Sequence, residues 1–127
     1  LLTESSFLKN VTTRGERLRN HICSALSDHP HVGDIRGRCM MVGVELVADR
    51  STRRPFPAEF QLGRSVCQRT VRNGVWIRPL GDVIILMPPL IATETELDML
   101  ATVVVESIKA ETAGLTKQAT KSHLTHE

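Results

Sequence analysis

The chain has 127 residues, 41% of them hydrophobic and 24% charged, a length and balance that suit one small domain with a single core. Its 16 basic and 14 acidic side chains leave a formal net charge of +2, too even for nucleic acid or an anionic membrane as the main partner. Only 3% of the residues are aromatic, which argues against a base-stacking surface, and no apolar run approaches the roughly 18 residues of a membrane span.

The first residues, Leu1-Leu2-Thr3-Glu4, carry neither an initiator Met nor a signal pattern, so the chain is expected to be a piece of a longer protein. A helix follows: Phe7, Leu8, Val11, Leu18, Ile22, Ala25 and Leu26 recur at helical steps with Lys9, Arg17, Arg19 and Asn20 between them. Asp28-His29-Pro30 ends it, because proline disfavours helix at the residue before it. Residues 32–36 predict a short strand, Gly37-Arg38 a turn, and residues 39–47 a second strand. The second run is almost continuously apolar, as for a strand covered on both faces, and Gly43 within it predicts close approach by another backbone. Asp49-Arg50-Ser51-Thr52-Arg53-Arg54 forms a charged loop closed by Pro55 and Pro57. A second helix spans about residues 58–72, with Leu62, Val66, Cys67 and Thr70 on one side and Asn73-Gly74 as its stop. A hairpin is predicted next, from residues 75–78 through the turn Pro79-Leu80-Gly81-Asp82 to residues 83–87, with Pro88-Pro89 ending the pairing. Thr93 and Glu96 then make a capping box ahead of Leu97, Leu100, Ala101, Val104 and Ile108. The domain is expected to occupy residues 1–111, and residues 112–127, rich in Thr and Lys, a disordered tail. The order α-β-β-α-β-β-α predicts an α+β fold with helices on one face of a small sheet.

Arg78 is the most pointed residue for chemistry. Strand alternation places Trp76 and Arg78 on one face, and Pro79 holds Arg78 extended. A guanidinium on a fixed backbone beside an indole suits bidentate capture of a carboxylate; the alternative is an edge arginine paired with a surface acid or lying in water. His29 and His31 flank Pro30 without a third metal ligand at a useful interval, and read as polar turn residues. Gly33, Gly37 and Gly43 do not form a phosphate loop, and no serine has the setting of a nucleophile elbow. Arg50, Arg53 and Arg54 read as a solvated loop, and Glu45, inside an apolar strand, as one half of a salt bridge to a neighbouring element. Cys23, Cys39 and Cys67, odd in number and lacking C-x-x-C spacing, read as small apolar residues in a reducing compartment. No catalytic or metal-binding residue is assigned.

Three stretches together carry a family resemblance. Val32-Gly33-Asp34-Ile35-Arg36-Gly37-Arg38-Cys39-Met40-Met41-Val42-Gly43-Val44-Glu45-Leu46 resembles the V-R-G-x-G-L-M-x-G-x-E-L strand pair of class III pyridoxal-phosphate aminotransferases. Gly74-Val75-Trp76-Ile77-Arg78-Pro79-Leu80-Gly81-Asp82-Val83-Ile84-Ile85-Leu86-Met87-Pro88-Pro89 is similar to their C-terminal segment, and residues 93–108 to their closing helix. Cys39-Met40-Met41 departs from the family's more usual Gly-Leu-Met. The form of the second stretch most resembles the biotin-pathway branch, which moves an amino group from S-adenosylmethionine to 8-amino-7-oxononanoate.

That resemblance implies the C-terminal small domain of a fold-type I enzyme, cytoplasmic and homodimeric. Its pyridoxal phosphate would be bound by a large domain that this chain lacks. None of the four lysines, Lys9, Lys109, Lys117 and Lys121, has the context of the family's cofactor lysine, so the chain alone is expected to be inactive. Arg78 takes the role of the arginine that binds the substrate carboxylate, and Trp76 that of a pocket wall or a domain-interface anchor. Two alternatives are another class III aminotransferase, with an ω-amino acid or diamine donor, and a non-catalytic carboxylate-binding module.

Overall fold

Val11, Leu18, Ile22 and Leu26 recur every four or seven residues, and in the computed structural model they form the buried stripe of helix α1, Glu4–Leu26. The structure describes residues 4–38, 40–89 and 91–125. Leu8, expected in that stripe, is exposed instead, and Gly15 takes the buried position between Val11 and Leu18. Strands β1 (Val32–Arg38) and β2 (Met41–Leu46) pair antiparallel with Arg36 opposite Gly43 and Arg38 opposite Met41. Strand β1 therefore runs through the turn expected at Gly37-Arg38. Gly37 does not take the positive φ of a glycine turn; it stays in the ladder, where an added Cβ would lie 3.0 Å from the Met41 carbonyl oxygen.

Strand β2 also corrects two expectations. Val42, Val44 and Leu46 are buried while Met41 is exposed and Gly43 and Glu45 are half-buried, so this chain covers only one face of the strand. An added Cβ at Gly43 would meet only ordinary contacts, the nearest Val83 Cγ1 at 3.7 Å. The close approach is at Gly63, where a Cβ would run into the Gly81 carbonyl oxygen and lie 3.2 Å from Asp82 Cα.

Helix α2 (Leu62–Arg72) starts later than predicted. A single 3-10 turn, Ala58–Phe60, precedes it, and Gln61 breaks the helical path with a left-handed backbone, φ 44°. Leu62, Val66, Cys67 and Thr70 are buried on one side, as the spacing predicts. Gly74, φ +83°, ends the helix: its N–H donates to the Val71 carbonyl and the Val75 N–H to the Thr70 carbonyl, at 3.0 and 2.9 Å.

Strands β3 (Arg78–Leu80) and β4 (Val83–Leu86) complete an antiparallel sheet of order β1-β2-β4-β3. Pro79 sits in β3, at the edge, where the sheet tolerates a missing N–H. The turn is the two-residue Gly81-Asp82, with Gly81 at φ +60°. Helix α3 (Glu94–Thr125) opens on the predicted capping box: the Glu96 N–H donates to Thr93 Oγ1 at 3.1 Å, and the Thr93 N–H to Glu96 Oε1 at 3.1 Å. Its backbone runs through Thr125. Thr112 is 1% exposed because its hydroxyl donates to the Ile108 carbonyl at 2.6 Å, and Leu115 packs against the core. A polar residue whose hydrogen bond is satisfied by its own helix is cheap to bury, which hides it from an apolar-periodicity reading.

The element order is the expected α-β-β-α-β-β-α. Helices α1 and α2 pack on the sheet face that presents Val42, Val44, Ile84 and Leu86, and α3 packs against both of them, with Ile22, Val66, Leu97 and Val104 in the same core. Arg17 grips Asp98 with two nitrogens, at 2.8 and 3.2 Å, tying α1 to α3, and Arg69 reaches Glu111 at 2.8 Å, tying α2 to α3.

Candidate carboxylate-binding groove

The sheet face opposite the helices holds the candidate site. Directly opposed residues point the same way, so the register lines up Arg36, Gly43, Ile85 and Arg78 across four strands on this face. A groove of about 640 Å³ lies over the β3 end of the row, walled by Trp76, Arg78, Leu80, Ile85 and Met87. Arg78 is the only charged side chain lining it, and among the described residues it has no hydrogen bond or ion pair. Arg36, at the other end of the row, is held by Asp34 at 3.4 Å and by Glu45 at 3.3 Å, which also provides the strand-to-strand partner expected for Glu45. One cation of the row is thus neutralised, while the other faces an apolar groove with its fork unoccupied. An apolar-bodied anion is the chemical complement of that arrangement.

Trp76 reaches the groove by a different route from the one expected. The strand begins at Arg78, because the Val75 N–H is spent on capping α2, so residues 75–77 form a connector. Trp76 still lines the groove beside Arg78, with 85% of its surface exposed, and Leu80 and Met87 are similarly uncovered.

Asp82, expected only as a turn residue, has a second role. Its Oδ1 accepts the Gly63 N–H at 3.1 Å, across the gap between the hairpin turn and the start of α2. A signal for this was present: no Ser, Thr, Asp or Asn precedes α2, and Gln61 makes no side-chain cap bond, so the helix needs a cap from elsewhere.

The remaining candidates lie away from the groove. His29 Nδ1 accepts the His31 N–H at 3.1 Å, and its Nε2 lies 3.2 Å from Thr112 Oγ1, joining the end of α1 to α3. The His31 ring is buried, with Nδ1 3.1 Å from the Val47 carbonyl oxygen. Among the described residues no three His, Cys, Asp or Glu side chains are placed to hold a metal. Arg50, Arg53 and Arg54 lie in an exposed loop, as expected. Cys67 is buried, and burial pushes its thiol up to about 11; Cys23 is half-buried, and Cys39 lies outside the described residues.

Burial holds the His29 imidazolium pKa below its usual 6.5, helped by the nearby charges of His31, Lys109 and Arg50. The unfolded chain therefore takes up this proton before the folded one does. The stability from neutral His29 is complete above about pH 6.5 and is lost as pH falls through that value toward the lower folded pKa. Protonation would also place an N–H where Nδ1 now accepts one. Urea unfolding at a series of pH values should show this decline, and His29→Gln should flatten it; an unchanged slope in the variant would assign the decline to other groups.

A Schiff-base cofactor requires a lysine amine at the groove. Lys9 and Lys109 are exposed on helices and do not line it, and the side chains of Lys117 and Lys121 lie outside those described. The described residues do not fit pyridoxal phosphate, and no step of its chemistry is assigned to them. Among them, no helix is long and apolar enough to cross a membrane.

Comparison with known proteins bears on this groove. The family profile for aminotransferase class-III matches residues 1–110. The chain is 49% identical over 109 residues to the adenosylmethionine-8-amino-7-oxononanoate aminotransferase of Nitratidesulfovibrio vulgaris, covering 86% of this chain and 20% of that protein. It resembles the crystal structure of the enzyme of the same name from Methanocaldococcus jannaschii with a TM-score of 0.76 and 36% identity, over 84% of this chain and 24% of that one. The omega transaminase of Pseudomonas jessenii, solved in complex with PMP, matches with a TM-score of 0.79 and 34% identity, over 87% of this chain and 24% of that one. The chain thus spans about a fifth to a quarter of the length of these relatives.

Proposed function

The chain belongs to the class-III aminotransferase family, and from that premise we propose that it is the carboxylate-gripping small domain of a pyridoxal-phosphate enzyme of biotin synthesis. The reaction is transfer of an amino group from S-adenosylmethionine to 8-amino-7-oxononanoate, in a cytoplasmic homodimer. The lysine and phosphate-binding groups of the cofactor come from a large domain outside this chain. When bound there, the cofactor supplies the electron sink that amino transfer needs. This chain's contribution is positional. Arg78 takes the carboxylate of the keto acid, the apolar walls at Ile85, Leu80 and Met87 exclude water from its alkyl chain, and that remote grip orients the reacting carbon.

The observation that carries the reading is the Arg78 fork, unpaired among the described residues, in an otherwise apolar groove. The one-sided burial of β2 agrees with it, since the face left uncovered, with Met41 and Gly43 beside the Arg36–Glu45 pair, is the groove side. The likeness to an omega transaminase favours a second reading, in which the donor is an ω-amino acid or a diamine. The test is a donor comparison in the complete aminotransferase that carries this domain, with 8-amino-7-oxononanoate as acceptor. Turnover with S-adenosylmethionine and not with ω-amino acids or diamines is expected. The opposite pattern selects the second reading. No amino transfer with any donor would leave a carboxylate-binding module.

A further inference from the structure

We propose that Asp82 is a positioning residue for Arg78, holding the hairpin that carries the guanidinium against the start of α2. The inference rests on the carboxylate-binding reading of Arg78. Strand β3 is only three residues long and lies at the sheet edge, and Pro79 in its middle has no N–H to give. Such a short ladder places Arg78 weakly on its own. Upstream, residues 75–77 are outside any strand, and the chain is guided toward Arg78 only by the Val75 N–H bond to the Thr70 carbonyl and the packing of Ile77 against the core. A second restraint comes from the other end, four residues on.

There the Gly81-Asp82 turn is held from two elements. The Asp82 carbonyl accepts the Leu46 N–H at 2.9 Å, fixing the turn to β2. Its carboxylate oxygen Oδ1 accepts the Gly63 N–H at 3.1 Å, fixing the turn to α2. That N–H belongs to the first turn of a helix with no local side-chain cap, so one carboxylate both satisfies an orphan donor and sits at the favourable end of the helix dipole. Gly63 lets the two backbones meet, since any Cβ there would collide with the Gly81 carbonyl oxygen. Asp82 itself does not line the groove; it borders a separate hollow with Phe56, Arg64 and Pro79. It therefore acts on the substrate only through where it puts Arg78.

The test uses the complete aminotransferase and reads the keto-acid and amino-donor half-reactions separately. Asp82→Ala should raise KM for the carboxylate acceptor about 3- to 100-fold, the range in which small misplacements of a positioning group are felt. It should leave kcat and the donor half-reaction within about twofold. Asp82→Asn should behave nearly as wild type, because its amide oxygen can accept the same N–H. In an Arg78→Ala background, Asp82→Ala should add nothing to the acceptor KM, since the group it positions is gone. Should Asp82→Ala fail to fold, Gly63→Ala pushes the same turn from the helix side and should move the same parameter. Equal losses in both half-reactions, additive effects with Arg78→Ala, or no rescue by Asp82→Asn would each overturn the proposal. If Arg78→Ala raises the acceptor KM and neither turn variant does, positioning by Asp82 fails while the carboxylate site stands. If Arg78→Ala leaves it unchanged, both fall together.

Discussion

Arg78→Ala in the complete aminotransferase is expected to lower kcat/KM for the keto acid by roughly 30-fold to several-thousand-fold. The range follows from removing a charge-assisted bidentate pair, which typically contributes about 2–5 kcal/mol once desolvated, at about 1.4 kcal/mol per decade. The structure supplies the apolar lining for such a pair, while Trp76, Leu80 and Met87 stay exposed in this chain, so desolvation of the pair falls to the rest of the complete enzyme. Apart from Arg78 the groove is lined by Trp76, Ile77, Pro79, Leu80, Ile85 and Met87, and no acid of the described residues competes for the guanidinium. Arg78→Lys should recover only part of the loss, because an ammonium is a point charge and cannot reproduce the fork. The half-reaction with the amino donor should change much less if the donor is gripped elsewhere. Stopped-flow comparison of the two half-reactions decides the matter. Equal losses would give Arg78 a general structural role, and an unchanged keto-acid half-reaction would move the carboxylate site to another residue.

The parts of this fold that were legible in sequence are those with local causes. The α3 cap was readable because Thr93 and Glu96 satisfy each other's backbone within one turn. The end of α2 was readable because Asn73-Gly74 is a local backbone solution. Arg78 stood out because proline constrains the residue before it. What escaped was set by partners distant in sequence. The start of α2 is decided by Asp82, 19 residues from the Gly63 N–H that it caps. The exposed face of β2 was not legible because the run at 39–47 is almost continuously apolar in sequence, while the side that holds Met41, Gly43 and Glu45 is left uncovered by this chain. The burial of Thr112 was missed because its hydroxyl is satisfied by Ile108 of the same helix, a bond that composition does not register.

The two faces of the sheet differ enough to be told apart by unfolding adjacent variants. Ile84 and Ile85 are neighbours in β4, yet Ile84 is fully buried among the helices and Ile85 is half-buried in the groove. Ile84→Ala removes atoms from a packed interior and leaves a cavity between Val44 and Pro79, its partners on either side in the sheet. Such truncations cost about 2–5 kcal/mol, a large share of the about 5–15 kcal/mol that holds a domain together. Ile84→Val should cost only about 0.5–1.5 kcal/mol, as loss of one methylene does. Ile85→Ala, made where the 127-residue chain leaves the side chain partly in water, should cost about 1 kcal/mol or less. Urea denaturation of the chain followed by circular dichroism measures all three. Equal costs at Ile84 and Ile85 would mean that both sheet faces are covered, as self-association would do, and would contradict an open groove beside Arg78.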